Sequence, residues 1–170
     1  QPALPTPHEG IAAVKKIDRT VQEYSPSEGL HSLREKLREY YHRFNIDVEV
    51  DDIIVTAGGS EAVLFAFMAC LDPGDEILVP EPAYANYMAF AISAGAKIVT
   101  IPSSIENGFE LPPVEKFEEL ITPRTKGILI CNPNNPTGYL YTMKEMLQIR
   151  DLVLKHDLFL SVSYTHHRAP

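Results

Sequence analysis

The chain has 170 residues, 45% hydrophobic and 22% charged, which suffices for one sizeable core and is ordinary for a soluble globular domain. Fifteen Lys+Arg against 23 Asp+Glu leave a formal net charge of −8, which argues against a nucleic-acid binder and an anionic membrane surface, since both are recognised through clustered cations. The longest uninterrupted apolar run, Ala62 to Leu71, is about half of the ~20 residues a membrane helix needs, and no charged-then-apolar leader opens the sequence.

In chain order, residues 1–10 read as an extended, Pro-rich lead-in. From Glu9 to Val21, Ile11, Val14, Ile17 and Val21 recur at helical spacing. The run Tyr24-Ser25-Pro26-Ser27-Glu28-Gly29 breaks that stripe. A second helix follows, with Leu30, Leu33, Leu37, Tyr41 and Phe44 on one face and Arg34, Glu35, Arg38 and Glu39 on the solvated face. Ile53-Ile54-Val55-Thr56 predicts a buried β-strand. Ala57-Gly58-Gly59-Ser60 turns it into an apolar helix ending near Leu71. Asp72 to Asp75 is a turn, Ile77 to Val79 a strand ending at Pro80, Tyr84 to Ala94 a helix stopped by Gly95, and Lys97 to Ile101 a strand. Asn107-Gly108 marks a tight turn. Val114, Phe117, Leu120 and Ile121 mark a short helix, Gly127 to Cys131 a strand, Met143 to His156 a helix, and Leu158 to Val162 a last strand.

Alternating strands and helices predict an α/β fold, and strands that are continuous apolar runs suit a mostly parallel sheet covered on both faces, a three-layer α/β/α arrangement. Cys70 and Cys131 lie far apart within apolar runs and read as reduced core thiols, which fits a cytoplasmic setting. The histidines have no metal-ligand spacing, so no metal is expected. Fourteen prolines, an enriched share, cluster between the apolar runs and punctuate elements.

In parallel sheets, ligands bind outside the carboxyl ends of the strands, so the residues just after each strand are the informative ones. Thr56-Ala57-Gly58-Gly59-Ser60-Glu61-Ala62 is a strand, a glycine turn and a helix start, where free N–H groups can hold phosphate. The plainer alternative is a tight turn with Ser60 as the helix cap. In Pro80-Glu81-Pro82-Ala83-Tyr84-Ala85-Asn86-Tyr87, an aromatic at a strand end could stack on a flat cofactor, or both tyrosines could pack in the core. Asn132-Pro133-Asn134-Asn135-Pro136-Thr137-Gly138 is a rigid loop of amide donors and acceptors, in which a cis Asn135–Pro136 bond would be a plausible functional constraint.

Taken in order, Tyr24-Ser-Pro-Ser-Glu-Gly, Thr56-Ala-Gly-Gly-Ser-Glu-Ala, Asp72-Pro-Gly-Asp with Pro80-Glu-Pro-Ala-Tyr, and Asn132-Pro-Asn-Asn-Pro-Thr-Gly resemble the class I/II aminotransferases, pyridoxal-phosphate enzymes of fold type I, in their aspartate-aminotransferase-like branch. The resemblance runs from Gln1 to about Val162. It implies that the chain forms part of the family's large domain and binds pyridoxal 5′-phosphate. Gly59, Ser60 and Glu61 would offer backbone N–H groups, with the Ser60 hydroxyl, to the cofactor phosphate. Tyr84 would stack on the pyridine ring, and Asn135 would bond the ring's phenolic oxygen and help place the substrate carboxylate. Tyr24 would reach the phosphate of a neighbouring subunit, which implies a homodimer. The implied reaction moves an amino group between an L-amino acid and a 2-oxo acid.

The sequence also departs from the resemblance. Ser163 stands where the family has an Asp that pairs with the protonated ring nitrogen, and none of the 15 cationic residues sits at the motif of the Schiff-base lysine or of the carboxylate-clamping arginine. The expectation is therefore a fragment: a lead-in at 1–10, an incomplete cofactor-binding domain at 11–162, and a tail at 163–170 that departs from the family. On its own it should be inactive, with Ile53–Thr56 and Leu158–Val162 lacking neighbours. Three other readings compete. They are a related β-lyase or decarboxylase on the same cofactor cradle, an aminotransferase-like ligand-sensing domain of a regulator, and an adenine methyltransferase, whose motif needs an aromatic where Asn134 and Asn135 stand.

Overall fold

A computed structural model describes residues 4–21 and 23–163. The chain divides into two compact units, residues 1–55 and 56–170.

The first unit holds helices α1 (His8–Lys15) and α2 (His31–His42) and a short 3₁₀ turn at Val50–Asp52. α1 stops at Lys15, well short of the stripe read to Val21. None of its residues is buried, and Val14, Ile17 and Val21 are all exposed, so no packing rewards a longer helix. α2 presents a buried arginine. Arg34 donates from Nη1 to the Val50 carbonyl at 2.9 Å and from Nε to the Gly29 carbonyl at 3.3 Å, tying the turn before the helix to the segment after it. Gly29 has φ +92°, and a Cβ there would lie 2.6 Å from the Val55 Cβ. Ile53 to Thr56, expected as a strand, is extended but is not one. Ile53 is buried and Ile54 exposed, and Val55 donates a single backbone bond, to Glu28. A β-branched run has the right shape for a ladder, yet a strand exists only where a partner strand supplies the complementary groups.

The second unit is an α/β layer structure. Helix α3 (Gly59–Cys70) leads to β1 (Glu76–Glu81), α4 (Asn86–Ser93), β2 (Lys97–Pro102), α5 (Val114–Glu118), β3 (Thr125–Cys131), α6 (Met143–His156) and β4 (Phe159–Ser163). The strands are all parallel in the order β2-β1-β3-β4. Alternate residues face opposite layers. Ile77, Val79, Ile98 and Leu129 pack with Phe67, Leu71, Tyr87 and Ala91 from α3 and α4. Leu78, Ile101, Ile128 and Ile130 pack with Phe117, Ile149, Leu152 and Val153 from α5 and α6. This is why β1 is buried from Glu76 to Pro80 without alternation. Cys131 is buried, Cys70 partly so, and both are free thiols. Asn107-Gly108 closes a 3₁₀ turn at Ile105–Asn107, with Gly108 at φ 63°.

The topology creates one special crevice. The chain leaves β1 through α4 on one face and leaves β3 through α6 on the other, although β1 and β3 are neighbours. Their carboxyl ends therefore flank a switch point, where loops part in opposite directions. The β1–β3 ladder stops at Leu78, two residues before Pro80, which has no N–H to extend it. No helix among the described residues is long and apolar enough to cross a membrane.

Candidate functional site

Two of the expected residues follow the two strands at the switch point. Tyr84 comes three residues after the end of β1, and Asn135 four residues after the end of β3. The Tyr84 ring is half-buried against the α3/α4 core and meets Tyr87 edge-on, with centroids 5.5 Å apart and planes at 84°. Its hydroxyl accepts a 2.7 Å bond from the Asn86 amide. Tyr87 is the core member of the pair and Tyr84 the partly open one.

The loop after β3 separates three chemically identical side chains. Asn132 Oδ1 accepts the Tyr141 N–H at 3.0 Å, and the Asn132 N–H donates to the Ser163 carbonyl at 3.0 Å. Asn134 Oδ1 accepts from the Thr137 N–H at 3.1 Å and the Thr137 hydroxyl at 2.8 Å, and the Asn134 N–H donates to the Tyr139 carbonyl at 2.7 Å. These two asparagines build the loop. The Asn135 side chain is half-buried and makes no hydrogen bond among the described residues, so its amide is available. The Asn132–Pro133, Asn135–Pro136 and Glu81–Pro82 peptides are all cis.

At the start of α3 the helix cap is Gly58, not Ser60. The Glu61 carboxylate reaches back to the Ala57 N–H at 2.6 Å, the Thr56 hydroxyl donates to the Gly58 carbonyl at 2.9 Å, and the Glu61 N–H donates to the same carbonyl at 3.1 Å. Glu61 thus shapes the turn with both its carboxylate and its N–H. The Gly59 and Ser60 N–H groups and the Ser60 hydroxyl have no partner among the described residues, and Ser60 is exposed. Three unengaged donors at the positive end of a 12-residue helix suit a phosphate or other anion.

Ser163, the last residue of β4, stands in register with Cys131 beside the loop that carries Asn135. It offers a neutral hydroxyl there. Tyr24, in the first unit, is fully exposed. The remainder of the tail, residues 164–170, lies outside the described residues.

Glu145 escaped the reading of the sequence. It sits in the first turn of α6, where Thr142 and Glu145 form a reciprocal capping box. The Thr-x-x-Glu spacing before an apolar stripe was the available signal for that cap. Its tertiary partners, Leu111 and Tyr139, leave no local trace in sequence. Burial disfavours the Glu145 charge, but the bonds from Thr142, Leu111 and Tyr139 outweigh it and hold the carboxyl below its ordinary range. Nearby, burial pushes the Tyr141 phenol up to about 12, helped by the neighbouring Cys131 and Glu145.

The fold is a parallel sheet layered between helices, with the loop that carries Asn135 at its switch point. The sequence profile described as aminotransferase class I and II matches residues 1–167, and the chain belongs to that family. It is 36% identical over 162 residues to the aspartate/prephenate aminotransferase of Thermus thermophilus, covering 94% of this chain and 42% of that protein. It is 37% identical to the aspartate aminotransferase of Pyrococcus horikoshii, with 94% and 41% covered. Among solved structures, the Thermus thermophilus aspartate aminotransferase with maleate superposes with a TM-score of 0.88 at 35% identity, over 95% of this chain and 43% of that one. The chain thus spans about two-fifths of the length of these relatives.

Proposed function

We propose that the chain is the cofactor-holding part of a pyridoxal-phosphate-dependent aminotransferase, a protein that moves an amino group between an L-amino acid and a 2-oxo acid. The observation that carries this reading is the loop after β3, where Asn132 and Asn134 are bonded within the loop and Asn135 is left available beside the switch-point crevice.

The residues present fit two edges of pyridoxal 5′-phosphate. Gly59 and Ser60 have open donors for its phosphate at the α3 start. Asn135 has a free amide for its phenolic oxygen, and Tyr84 a partly open ring for its face. The residues do not fit the ring nitrogen as a cation, because Ser163 brings no charge. When bound, the cofactor supplies an electron sink for the charge left on the substrate α-carbon. The chain's own residues bind and orient: Glu61 and Thr56 keep the turn open for the phosphate, Tyr84 limits ring tilt, and Asn135 fixes rotation in the ring plane. Assignment to a homodimer, with Tyr24 reaching the phosphate of a second copy, and to the cytoplasm belongs to the same proposal.

The test is amino-group transfer by the protein encoded by the whole reading frame. The expected result is cofactor-dependent conversion of an L-amino acid to its 2-oxo acid, with equimolar amination of a 2-oxo acid acceptor. Release of ammonia or carbon dioxide in place of transfer would overturn the reading. The 170-residue chain alone should show no turnover, since no lysine stands at the family's cofactor-linking motif.

A further inference from the structure

The loop that carries Asn135 is closed on itself by short bonds, but its exit is anchored elsewhere. Glu145 Oε1 accepts from the Leu111 N–H at 2.8 Å and the Tyr139 hydroxyl at 3.1 Å. Glu145 Oε2 accepts from the Thr142 N–H at 2.7 Å, the Thr142 hydroxyl at 2.6 Å and the same Tyr139 hydroxyl at 3.2 Å. One carboxylate therefore joins the start of α6, the segment before α5 and the tyrosine whose carbonyl receives the Asn134 N–H. A helix cap alone needs only the Thr142 contacts; the bonds to Leu111 and Tyr139 serve the loop.

We propose that Glu145 is the positioning residue of the 132–142 loop. By holding Tyr139 and Leu111 together it fixes the loop in the form that leaves the Asn135 amide available to the cofactor ring. The cofactor part of this inference rests on the function proposed above; the hold on the loop does not.

The geometry makes the carboxylate hard to replace. Each of its two oxygens takes one main-chain N–H, that of Leu111 on one side and that of Thr142 on the other. A glutamine has one oxygen and one NH₂, so in either orientation a main-chain donor faces a donor. The hydroxyls of Tyr139 and Thr142 can reverse their roles, whereas the two backbone N–H groups cannot.

The experiment uses the full 170-residue chain with Glu145→Gln, Tyr139→Phe and Asn135→Ala. Amide hydrogen exchange is followed at Asn134, Gly138 and Tyr141, each of which donates within the loop, with Ile128 and Leu129 of β3 as internal controls. Exchange at the three loop amides should rise about tenfold in Glu145→Gln, and by a smaller factor in Tyr139→Phe, with the controls unmoved. Tyr139→Phe leaves the α6 cap intact and carries the test should Glu145→Gln fail to fold. Unchanged loop exchange in the folded variants would overturn the proposal. Pyridoxal 5′-phosphate is then titrated. Affinity should drop about tenfold in Glu145→Gln and less than about twofold further when Asn135 is already Ala. Additive losses would show that Glu145 does not act through Asn135 and would overturn that part. A wild-type chain that binds pyridoxal 5′-phosphate no better than pyridoxal would refute the cofactor reading, and loop exchange would still decide the role of Glu145.

Discussion

Replacing the loop asparagines by alanine one at a time should separate building from binding. Asn134→Ala removes two bonds to Thr137, at 3.1 and 2.8 Å. Neutral hydrogen bonds contribute about 0.5–1.5 kcal/mol each, so the loss of the Thr137 pair predicts about 1–3 kcal/mol of destabilisation. Asn132→Ala removes one bond, to the Tyr141 N–H, and predicts about 1 kcal/mol. Asn135→Ala removes none among the described residues and should change stability by less than about 0.5 kcal/mol. Affinity for pyridoxal 5′-phosphate should fall most sharply in Asn135→Ala, by about tenfold to a hundredfold, because a bond to an ionised ring oxygen contributes about 1.5–3 kcal/mol. Urea denaturation and a spectrophotometric cofactor titration on the same three variants provide the readouts. Should Asn135→Ala destabilise as much as Asn134→Ala and leave cofactor affinity intact, the division of labour within the loop would be refuted.

Other expectations follow from single sites. Gly29→Ala puts a Cβ 2.6 Å from the Val55 Cβ at a positive φ, and should cost about 2 kcal/mol or more in a urea melt. Phe117 of α5, fully buried against α6 and the sheet, should cost about 3–5 kcal/mol when cut to alanine. Because the Glu145 carboxyl is held below its ordinary value of 4.5, the stability it contributes is present above that pH and is lost as pH falls through its depressed value. The stability gap between wild type and Glu145→Gln, read from urea midpoints, should therefore narrow below about pH 4.5. In an alkaline absorbance titration, one phenol should ionise near the value of about 12 assigned to Tyr141, and Tyr141→Phe should remove that late step.

Much of the second unit was legible because its signals are local. The apolar runs at Ile77–Val79 and Gly127–Cys131 have no polar alternation, which only a sheet covered on both faces tolerates, and the structure is such a sheet. The α6 stripe of Met146, Ile149, Leu152 and Val153 coincides with a capping box at one end and Asp157 in the left-handed region at the other. Ile53–Thr56 misled because β-branched shape reports fitness for a ladder, not the presence of a partner. The Glu9–Val21 stripe misled because periodicity carries no information on whether anything packs against it. At the site, sequence located the glycine turn but not its cap. Ser60 is a good capping residue by type, and only the backbone shows that the helix begins one residue before it, at Gly59. Three asparagines in one loop are equivalent by residue type; the resemblance singled out Asn135, and the hydrogen-bond pattern adds the physical reason, since Asn132 and Asn134 are engaged within the loop.

The proposed function requires that the α3 start and the loop after β3 together hold pyridoxal 5′-phosphate. The most direct measurement compares binding of that compound and of pyridoxal, which lacks only the phosphate, to wild type and Ser60→Ala by equilibrium titration. The phosphorylated form should bind at least about tenfold more tightly to wild type, and Ser60→Ala should reduce this preference by about tenfold without affecting pyridoxal. Equal binding of the two compounds to wild type, or a preference that Ser60→Ala leaves untouched, would contradict it.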